Sequence, residues 1–420
     1  MFGLREAMDT QPSRFTAALI VLTLLFFMWG LITSLNDILI PHLKAFFTLN
    51  YVQAMLVQFS FFGAYLVMSF PSGYLVEKLG YRRGIVIGLV TAAIGCLGFY
   101  PAAGIQSYGL FLAALFVLAS GITLLQVAAN PYVAVLGSPV TASSRLNLTQ
   151  AFNSLGTTLG PFLGSMLILS TATPTHARST VHAIQAVQLP YLGLAAALFL
   201  VAIVFSRFHL PSISSPAPNT FDTPARETGE RSVWSHRHLV LGAVAIFVYV
   251  GAEVAIGSFL VSFMARPEIA GIPQDVAGRY LSFYWGGAMI GRFAGALVLR
   301  KVPAGRVLAC NALCATVLLV VAMAMAGKTA MWAVLAIGLC NSIMFPTIFT
   351  LAIARLGRHT GEGSGVLCMA IAGGAMVPVL QGYVADHIGI LLAFCVPVAC
   401  YLYIAYYGIA GHCLRDSPKH

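Results

Sequence analysis

The sequence predicts an all-α membrane protein in which twelve transmembrane helices form two six-helix bundles. Apolar residues make up 59% of the 420-residue chain and charged residues only 9%, whereas a soluble domain has about 45–50% and about 25%. Each span needs roughly 20 apolar residues, so a chain of this length accommodates twelve spans with short loops. One long polar segment near the middle divides these spans into two sets. This composition excludes a soluble fold.

Apolar stretches between charged residues, prolines and glycines define the expected spans. They cover residues 15–43, 52–79, 84–103, 107–136, 144–170, 189–208, 237–265, 275–300, 304–326, 329–356, 363–386 and 388–410. The apolar run after Arg14 lacks a small-residue cleavage site and continues past the length of a secretory leader, so we expect it to be the first span. Residues 209–236, which contain many Pro, Ser and Thr, form the expected linker between domains 1–208 and 237–420.

The net charge of +10 reflects the predicted topology. About three quarters of the 23 Lys and Arg residues fall on segments that share a side with the amino terminus. The positive-inside rule therefore predicts that both termini are cytoplasmic, and the excess of cations requires no nucleic acid partner. The 8 cysteines lack metal-binding or redox spacing. His236 and His238 flank Arg237, where we expect an interfacial polar cluster rather than a metal site.

The two halves of the chain resemble each other at an offset of roughly 222 residues. Residues 61–78 run parallel to residues 284–300, although the second copy lacks the acidic residue. Two six-helix repeats related by an axis along the membrane normal are typical of secondary transporters, with a central site between the repeats. The duplication therefore favours a carrier over a membrane-embedded enzyme.

The segment after the second span reads Gly-Tyr-Leu-Val-Glu-Lys-Leu-Gly-Tyr-Arg-Arg over residues 73–83. It resembles the loop signature of the major facilitator superfamily, with Glu in place of Asp. An acidic residue and neighbouring cations can pair with a helix end in one transport state and release it in another. The predicted gating residues are Gly73, Glu77, Lys78, Gly80, Arg82 and Arg83, with Arg145 as a further partner of Glu77. A merely solvated loop is the alternative.

A longer resemblance extends over nearly the whole chain. Residues 27–41, 121–132, 144–156 and 249–257 are similar to the fucose permease family of sugar:proton symporters and, within it, to bacterial glucose/galactose transporters. The resemblance implies the major facilitator fold and import of a hexose by alternating access, with glucose or galactose as the leading substrate. Fucose or another monosaccharide is the alternative within this class.

Two acidic residues, Asp37 and Glu253, fall well inside apolar spans, where a charge is unfavourable and usually functional. A carboxylate that is charged in a wet cavity and neutral when the cavity closes can carry a proton. The resemblance aligns Asp37 with the family's proton-titrating aspartate, while Gln126 stands where the fucose permease has a second carboxylate. H⁺ is therefore the expected coupling ion. Na⁺ is the alternative, because Asn36, Asp37 and nearby carbonyls offer hard oxygen ligands.

Glu253 has two interpretations: a second ion-coupling or sugar-binding carboxylate, or a structural partner of Arg292 on the next span. For Asp37 the alternative is a helix-end residue near the outer surface, four positions before Pro41. Neither alternative is decided by the sequence.

Amide side chains on the fourth and fifth spans are the main candidates for sugar contacts. Asn147, Gln150 and Asn153 share one helix face, and amides both donate to and accept from vicinal hydroxyls. The resemblance aligns Gln150 and Asn153 with sugar-contact positions, and Gln126 can also bind hydroxyls. Asn36 and Asp37 in the first span are further expected sugar contacts. Interhelical hydrogen bonding is the alternative, and Asn130 could instead satisfy the carbonyl freed by the following proline.

The second half supplies further candidates for sugar contacts. They are Asn341, Gln381 and Trp285, the last as an aromatic face for a pyranose, although plain packing is the alternative. We expect a monomer in the bacterial inner membrane that requires no cofactor and catalyses no chemical change. A passive facilitator and a membrane enzyme using Asp37 and Glu253 remain alternatives from other classes.

Overall fold

The computed structural model describes residues 15–32, 51–164, 180–207 and 232–413. Asn36 and Asp37 and most of the expected linker lie outside these described residues. Within them, no strand occurs. The α-helices, numbered in chain order, are α1 (Phe15–Ile32), α2 (Tyr51–Leu79), α3 (Tyr81–Gly104), α4 (Tyr108–Val135), α5 (Ala142–Gly164), α6 (Thr180–Arg207), α7 (Arg237–Met264), α8 (Gln274–Val298), α9 (Ala304–Ala324), α10 (Gly327–Asn341), α11 (Met344–Ala352), α12 (Thr360–Met369), α13 (Gly373–Ile388), α14 (Ile390–Ala393) and α15 (Cys395–Tyr406).

Ten segments in the described part of the chain are long and apolar enough to cross a membrane. Three of them combine shorter helices: Gly327–Ala352, Gly357–Ile388 and Ile390–Gly411. The other long helices, α5 and α8, fall below this threshold of hydropathy. They carry polar residues within their length, among them Gln150 on α5 and Arg292 on α8.

The expected span over residues 329–356 is interrupted. Helix α10 ends at Asn341, and α11 begins at Met344. Pro346 accounts for the break, because a proline has no backbone N–H and cannot bond to the carbonyl four residues earlier. The expected span over residues 363–386 is likewise divided, by a 3₁₀ turn at Ala370–Ala372.

The chain divides into two compact units. The first contains Met1–Gly137 and Thr149–Ile213, and the second contains Ser138–Leu148 and Ser214–His420. Helix α5 therefore begins in the second unit and ends in the first. The first turns of α5 are held in the second unit by hydrogen bonds from Ser144 Oγ to the Ala296 carbonyl (2.6 Å) and between the hydroxyls of Ser143 and Thr350 (2.6 Å).

Small residues allow close helix packing in the first unit. A Cβ atom at Gly95 on α3 would overlap the backbone of Leu118 on α4, and one at Gly121 on α4 would overlap Ala92 on α3. Membrane helices gain their packing energy from such close approach, since burial of apolar surface supplies little between lipid-exposed helices. Helices α3 and α4 thus pack backbone to backbone.

Glycines also allow close helix packing in the second unit. A Cβ atom at Gly338 on α10 would overlap the Tyr284 carbonyl on α8, and one at Gly373 on α13 would overlap the Phe247 carbonyl on α7. These contacts bring α8 against α10 and α13 against α7. They position the buried polar residues of the second unit, which include Tyr284 on α8 and Asn341 at the end of α10.

Candidate functional site

A group of buried polar side chains lies inside the first unit, formed by Tyr65 on α2, Gln126 and Asn130 on α4, and Gln150 on α5, and is called the amide cluster below. Gln126 Nε2 donates to the Tyr65 hydroxyl at 2.5 Å, and Gln150 Nε2 donates to Asn130 Oδ1 at 3.3 Å. Gln126 and Gln150 are 8% and 6% exposed and Asn130 is fully buried. Three predicted sugar contacts, Gln126, Asn130 and Gln150, are thus buried in the first unit, and Gln126 and Asn130 lie about one helical turn apart on α4.

Asn130 retains an unused donor. Its Nδ2 atom is buried without a hydrogen-bond partner. The alternative that Asn130 satisfies the Val127 carbonyl, which Pro131 leaves without its helix donor, is therefore wrong for this structure, because Nδ2 is the side chain's only donor. A buried amide N–H without an acceptor is unfavourable by about 1–3 kcal/mol. The amide cluster can therefore take up a hydroxyl oxygen as an acceptor.

Asn153 lies where α5 packs closely on α1. Its Nδ2 donates to the Phe26 carbonyl at 2.9 Å. A Cβ atom at Gly30 would overlap the Asn153 carbonyl, and one at Gly156 would overlap the Phe27 carbonyl. The amide nitrogen of Asn153 thus links two helices, and its role as a sugar contact stays a prediction.

Asn341 is the centre of a buried network in the second unit. Its Oδ1 accepts from the Tyr401 hydroxyl at 2.6 Å, and its Nδ2 donates to the Tyr284 hydroxyl at 2.8 Å. Its backbone carbonyl accepts from the Tyr249 hydroxyl at 3.2 Å. Asn341, Tyr284 and Tyr401 are fully buried, and Tyr249 is 1% exposed. The amide that the sequence offers as a sugar contact is engaged here by two tyrosines.

Glu253 on α7 adjoins this network. The Tyr284 hydroxyl donates to the Glu253 backbone carbonyl at 3.2 Å. The Glu253 carboxyl group lies close to the Tyr249 side chain and within the electrostatic influence of Arg292. The structure thus brings Glu253 close to Arg292, as one of the two interpretations requires, and surrounds it with tyrosine hydroxyls.

Comparisons with known proteins identify the family. The profile of the Major Facilitator Superfamily matches residues 20–378. The chain belongs to that superfamily. It is 58% identical over 395 residues to the glucose/galactose transporter of Brucella abortus (strain 9-941), covering 94% of both chains. It is 35% identical over 396 residues to the L-fucose-proton symporter of Escherichia coli K12, covering 90% of both.

A solved structure of this superfamily shares the fold. The crystal structure of FucP in the outward conformation matches with a TM-score of 0.86 at 34% identity, covering 94% of this chain and 98% of that chain. The predicted fold class and the predicted fucose permease family are thereby confirmed. The chain is a multi-pass helical membrane protein of the major facilitator fold.

The loop that carries the superfamily signature adopts a defined conformation between α2 and α3. Gly80 has φ +81°, a backbone angle that favours glycine, and it joins the two helices. Arg82 donates from Nε to the Phe205 carbonyl at 3.3 Å and from a terminal nitrogen to the Ser206 carbonyl. Both carbonyls lie in the last turn of α6, where a cation is favourable. Arg82 therefore ties α3 to α6 inside the first unit.

Among the other predicted gating residues, Lys78 and Arg145 contact residues close to them in the chain. Lys78 lies over the Tyr74 ring at 4.7 Å from its centroid. Glu77, Lys78 and Arg83 are exposed, and Gly73 is buried. Arg145 donates to the Ser138 carbonyl at 2.8 Å and to the Thr141 hydroxyl, so it stabilises the start of its own helix. The gating roles of all these residues stay predictions.

The remaining candidates occupy three different environments. Asn147 Nδ2 donates to the Arg292 carbonyl at 2.6 Å, while its Oδ1 is buried without a partner. Gln381 is fully buried, and neither atom of its amide has a partner. Trp285 is 44% exposed and meets the Tyr284 ring edge-on at 5.2 Å.

The histidines at the start of α7 form the expected polar cluster. His238 Nε2 lies 2.9 Å from the Ala354 carbonyl, and the His236 ring lies 6.0 Å from the rings of His238 and His359. Among the described residues, no group of three or more His, Cys, Asp or Glu side chains is arranged to hold a metal ion.

Sequence reasoning missed three tyrosines. Tyr249 precedes Glu253 by four residues, a spacing that places both on one helix face and could have revealed the pair. Tyr65 and Tyr401 carry no such signal, because each is a lone aromatic residue in an apolar span.

Proposed function

We propose that this protein is a secondary active transporter that imports a hexose by alternating access, with glucose or galactose as substrate. The names of its relatives support this assignment, since they include a glucose/galactose transporter at 58% identity and an L-fucose-proton symporter at 35% identity. Fucose or another monosaccharide is the second candidate substrate, supported by the relative named as an L-fucose-proton symporter. The protein moves the sugar without chemical change.

The amide cluster is the observation that carries the proposal. The carboxamides of Gln126, Gln150 and Asn130 are buried in helices of the first unit, and Asn130 Nδ2 has no hydrogen-bond partner among the described residues. Sugar hydroxyls both donate and accept, so they can pair with carboxamides that the protein leaves incompletely satisfied. We infer that hydroxyls of the sugar bind at this cluster.

Coupling is assigned to a carboxyl group. Asp37 is the proposed proton carrier, with Glu253 as a second carboxyl group and Asn36 as a neighbour of the sugar. Closure around an ionised carboxylate is unfavourable in a low-dielectric interior, so the sugar-loaded carrier moves inward once Asp37 is protonated. Na⁺ is the alternative ion, and no further cofactor is needed.

The protein is proposed to reside in the bacterial inner membrane as a monomer, with both termini in the cytoplasm. The distribution of Lys and Arg along the sequence supports this orientation. Its partners are then the sugar and the lipid bilayer.

Uptake by proteoliposomes tests both the sugar and the ion. We expect saturable accumulation of radiolabelled glucose or galactose driven by an inward pH gradient at fixed Na⁺. Accumulation driven only by a Na⁺ gradient would show that Na⁺, and not H⁺, is the coupling ion. Equilibration without accumulation would indicate a passive facilitator, and a chemically altered sugar would indicate an enzyme.

The Asp37→Asn variant tests the assigned carrier. The amide cannot release a proton, so we expect accumulation driven by the gradient to fall to background while counterflow exchange of sugar is retained. Asp386→Asn, which changes an exposed carboxylate at the end of α13, is the matched control and should transport like the wild type. Full accumulation by Asp37→Asn would contradict the assignment.

A further inference from the structure

The break between α10 and α11 leaves a backbone carbonyl without its helix donor. In a continuous helix the Ser342 carbonyl would accept from the N–H of residue 346, but Pro346 has none. Ser342 is 2% exposed, so water does not satisfy this carbonyl from the surface. Some other donor must serve it.

Arg292 on α8 supplies that donor. Its Nε donates to the Ser342 carbonyl at 3.1 Å. Glycine makes this reach possible, because a Cβ atom at Gly291 would lie 2.5 Å from Ser342 Oγ. The close approach of α8 to the break is therefore built into the sequence of α8.

The same arginine connects the break to Glu253. Its charge acts on the Glu253 carboxyl group, which also lies close to the Tyr249 side chain. Tyr249 in turn donates to the Asn341 carbonyl, the residue preceding Ser342. Two adjacent carbonyls at the break are thus held by groups that both interact with Glu253.

We propose that Arg292 is a positioning residue that supplies the hydrogen-bond donor missing at Pro346 and so fixes the α10–α11 break beside Glu253. This role goes beyond an ion pair, because it requires the donor geometry of the guanidinium as well as its charge. It accounts for the placement of a cation in a membrane-spanning helix, where a charge needs a specific compensation. The inference rests on the proposed function only for its transport readout.

A double-mutant cycle between Arg292 and Pro346 tests the proposal. Pro346→Ala restores an N–H that can donate to the Ser342 carbonyl. We expect Arg292→Met to lower the Tm of the purified full-length protein by on the order of 2 °C, and by less than half as much in the Pro346→Ala background. Pro378→Ala, in α13, is the matched control and should give no such relief. Equal losses in the two backgrounds would overturn the proposal.

Folding failure of the single variant is also informative. If Arg292→Met alone yields no folded protein, we expect folded protein to return when Pro346→Ala is added and not when Pro378→Ala is added. Failure of Pro346→Ala to restore folding would overturn the proposal.

A second cycle separates the hydrogen bond from charge compensation. Glu253→Gln removes the carboxylate and keeps a polar side chain of similar size next to Tyr249. We expect Arg292→Met to lower Tm by a similar amount in this background, because the Ser342 carbonyl still loses its donor. Disappearance of the loss would show that Arg292 serves only to neutralise Glu253.

The KM and Vmax of sugar uptake test the positioning role separately from its effect on stability. The Arg292→Met/Pro346→Ala variant should take up sugar with KM and Vmax within threefold of Pro346→Ala, since the break is held again. A stable double variant with persistently low Vmax would overturn the positioning role. If the wild type transports no sugar, the proposed function fails while both Tm cycles remain valid tests.

Discussion

Individual residues in the membrane interior show how polarity is used in this protein. Gln126 and Gln150 each donate to a neighbouring oxygen, and Asn130 keeps a buried N–H without an acceptor. Asn341 has both atoms of its amide engaged by tyrosines. The same residue type thus serves an incompletely satisfied site in the first unit and a closed network in the second.

Gln126→Leu tests the amide cluster at the scale of one side chain. Loss of one hydrogen bond to the sugar should raise KM about tenfold, with a smaller change in Vmax. Thr123→Val is the control, because the buried Thr123 hydroxyl lies on the same helix but outside the amide cluster and donates to the Ala119 carbonyl, so KM should change by less than about threefold. Uptake kinetics in proteoliposomes measure both, and an unchanged KM for Gln126→Leu would remove it from the binding site.

At the scale of helices, prolines and glycines decide how the elements are built and packed. Pro346 divides an expected span into α10 and α11, and the freed carbonyl is taken up by Arg292. Gly95 and Gly121 bring α3 and α4 into backbone contact. The expected bounds of α7, at residues 237–265, agree closely with Arg237–Met264, because hydropathy and charge mark both of its ends.

Substitution of Gly95 tests the packing of α3 on α4. Gly95→Ala places a methyl group against the Leu118 backbone and should destabilise the protein by about 1–3 kcal/mol. Gly193→Ala is the matched control, because nothing lies within 4 Å of the added atom and α6 should be unaffected or slightly more stable. Thermal unfolding of the purified proteins compares them, and equal Tm values would contradict the close packing.

For the whole molecule, the distribution of Lys and Arg along the chain predicts its orientation in the membrane, which helix packing does not. Most Lys and Arg residues occupy segments on one predicted side of the membrane. The positive-inside rule depends on insertion, so it predicts orientation without reference to tertiary contacts.

Labelling of single cysteines tests this orientation. In a variant without the native cysteines, Ser417→Cys should react with a membrane-impermeant maleimide only in inverted vesicles, since the carboxyl terminus is predicted to be cytoplasmic. Thr48→Cys, on a segment predicted to be external, should react in intact cells. Labelling of residue 417 from outside would reverse the topology.

Much of the fold follows from the sequence. Spans, their order and the family could be predicted, because hydropathy is a local property of about 20 consecutive residues and the family motifs are contiguous. Of the candidate site, Gln126 and Gln150 are both buried in the first unit and their role as sugar contacts stays a prediction, whereas Tyr65 and Tyr401 were missed because a lone tyrosine in an apolar span has no local signal.

The sequence by itself determined an all-α membrane protein of the major facilitator superfamily and the carboxyl and amide groups it places in apolar spans. Only the tertiary structure decided which of these groups are satisfied within the protein. Asn130 and Gln381 retain unpartnered amide atoms, while Asn341 does not. The reason is physical: satisfaction of a buried polar group depends on atoms from helices distant in the chain, and a local pattern does not specify their approach.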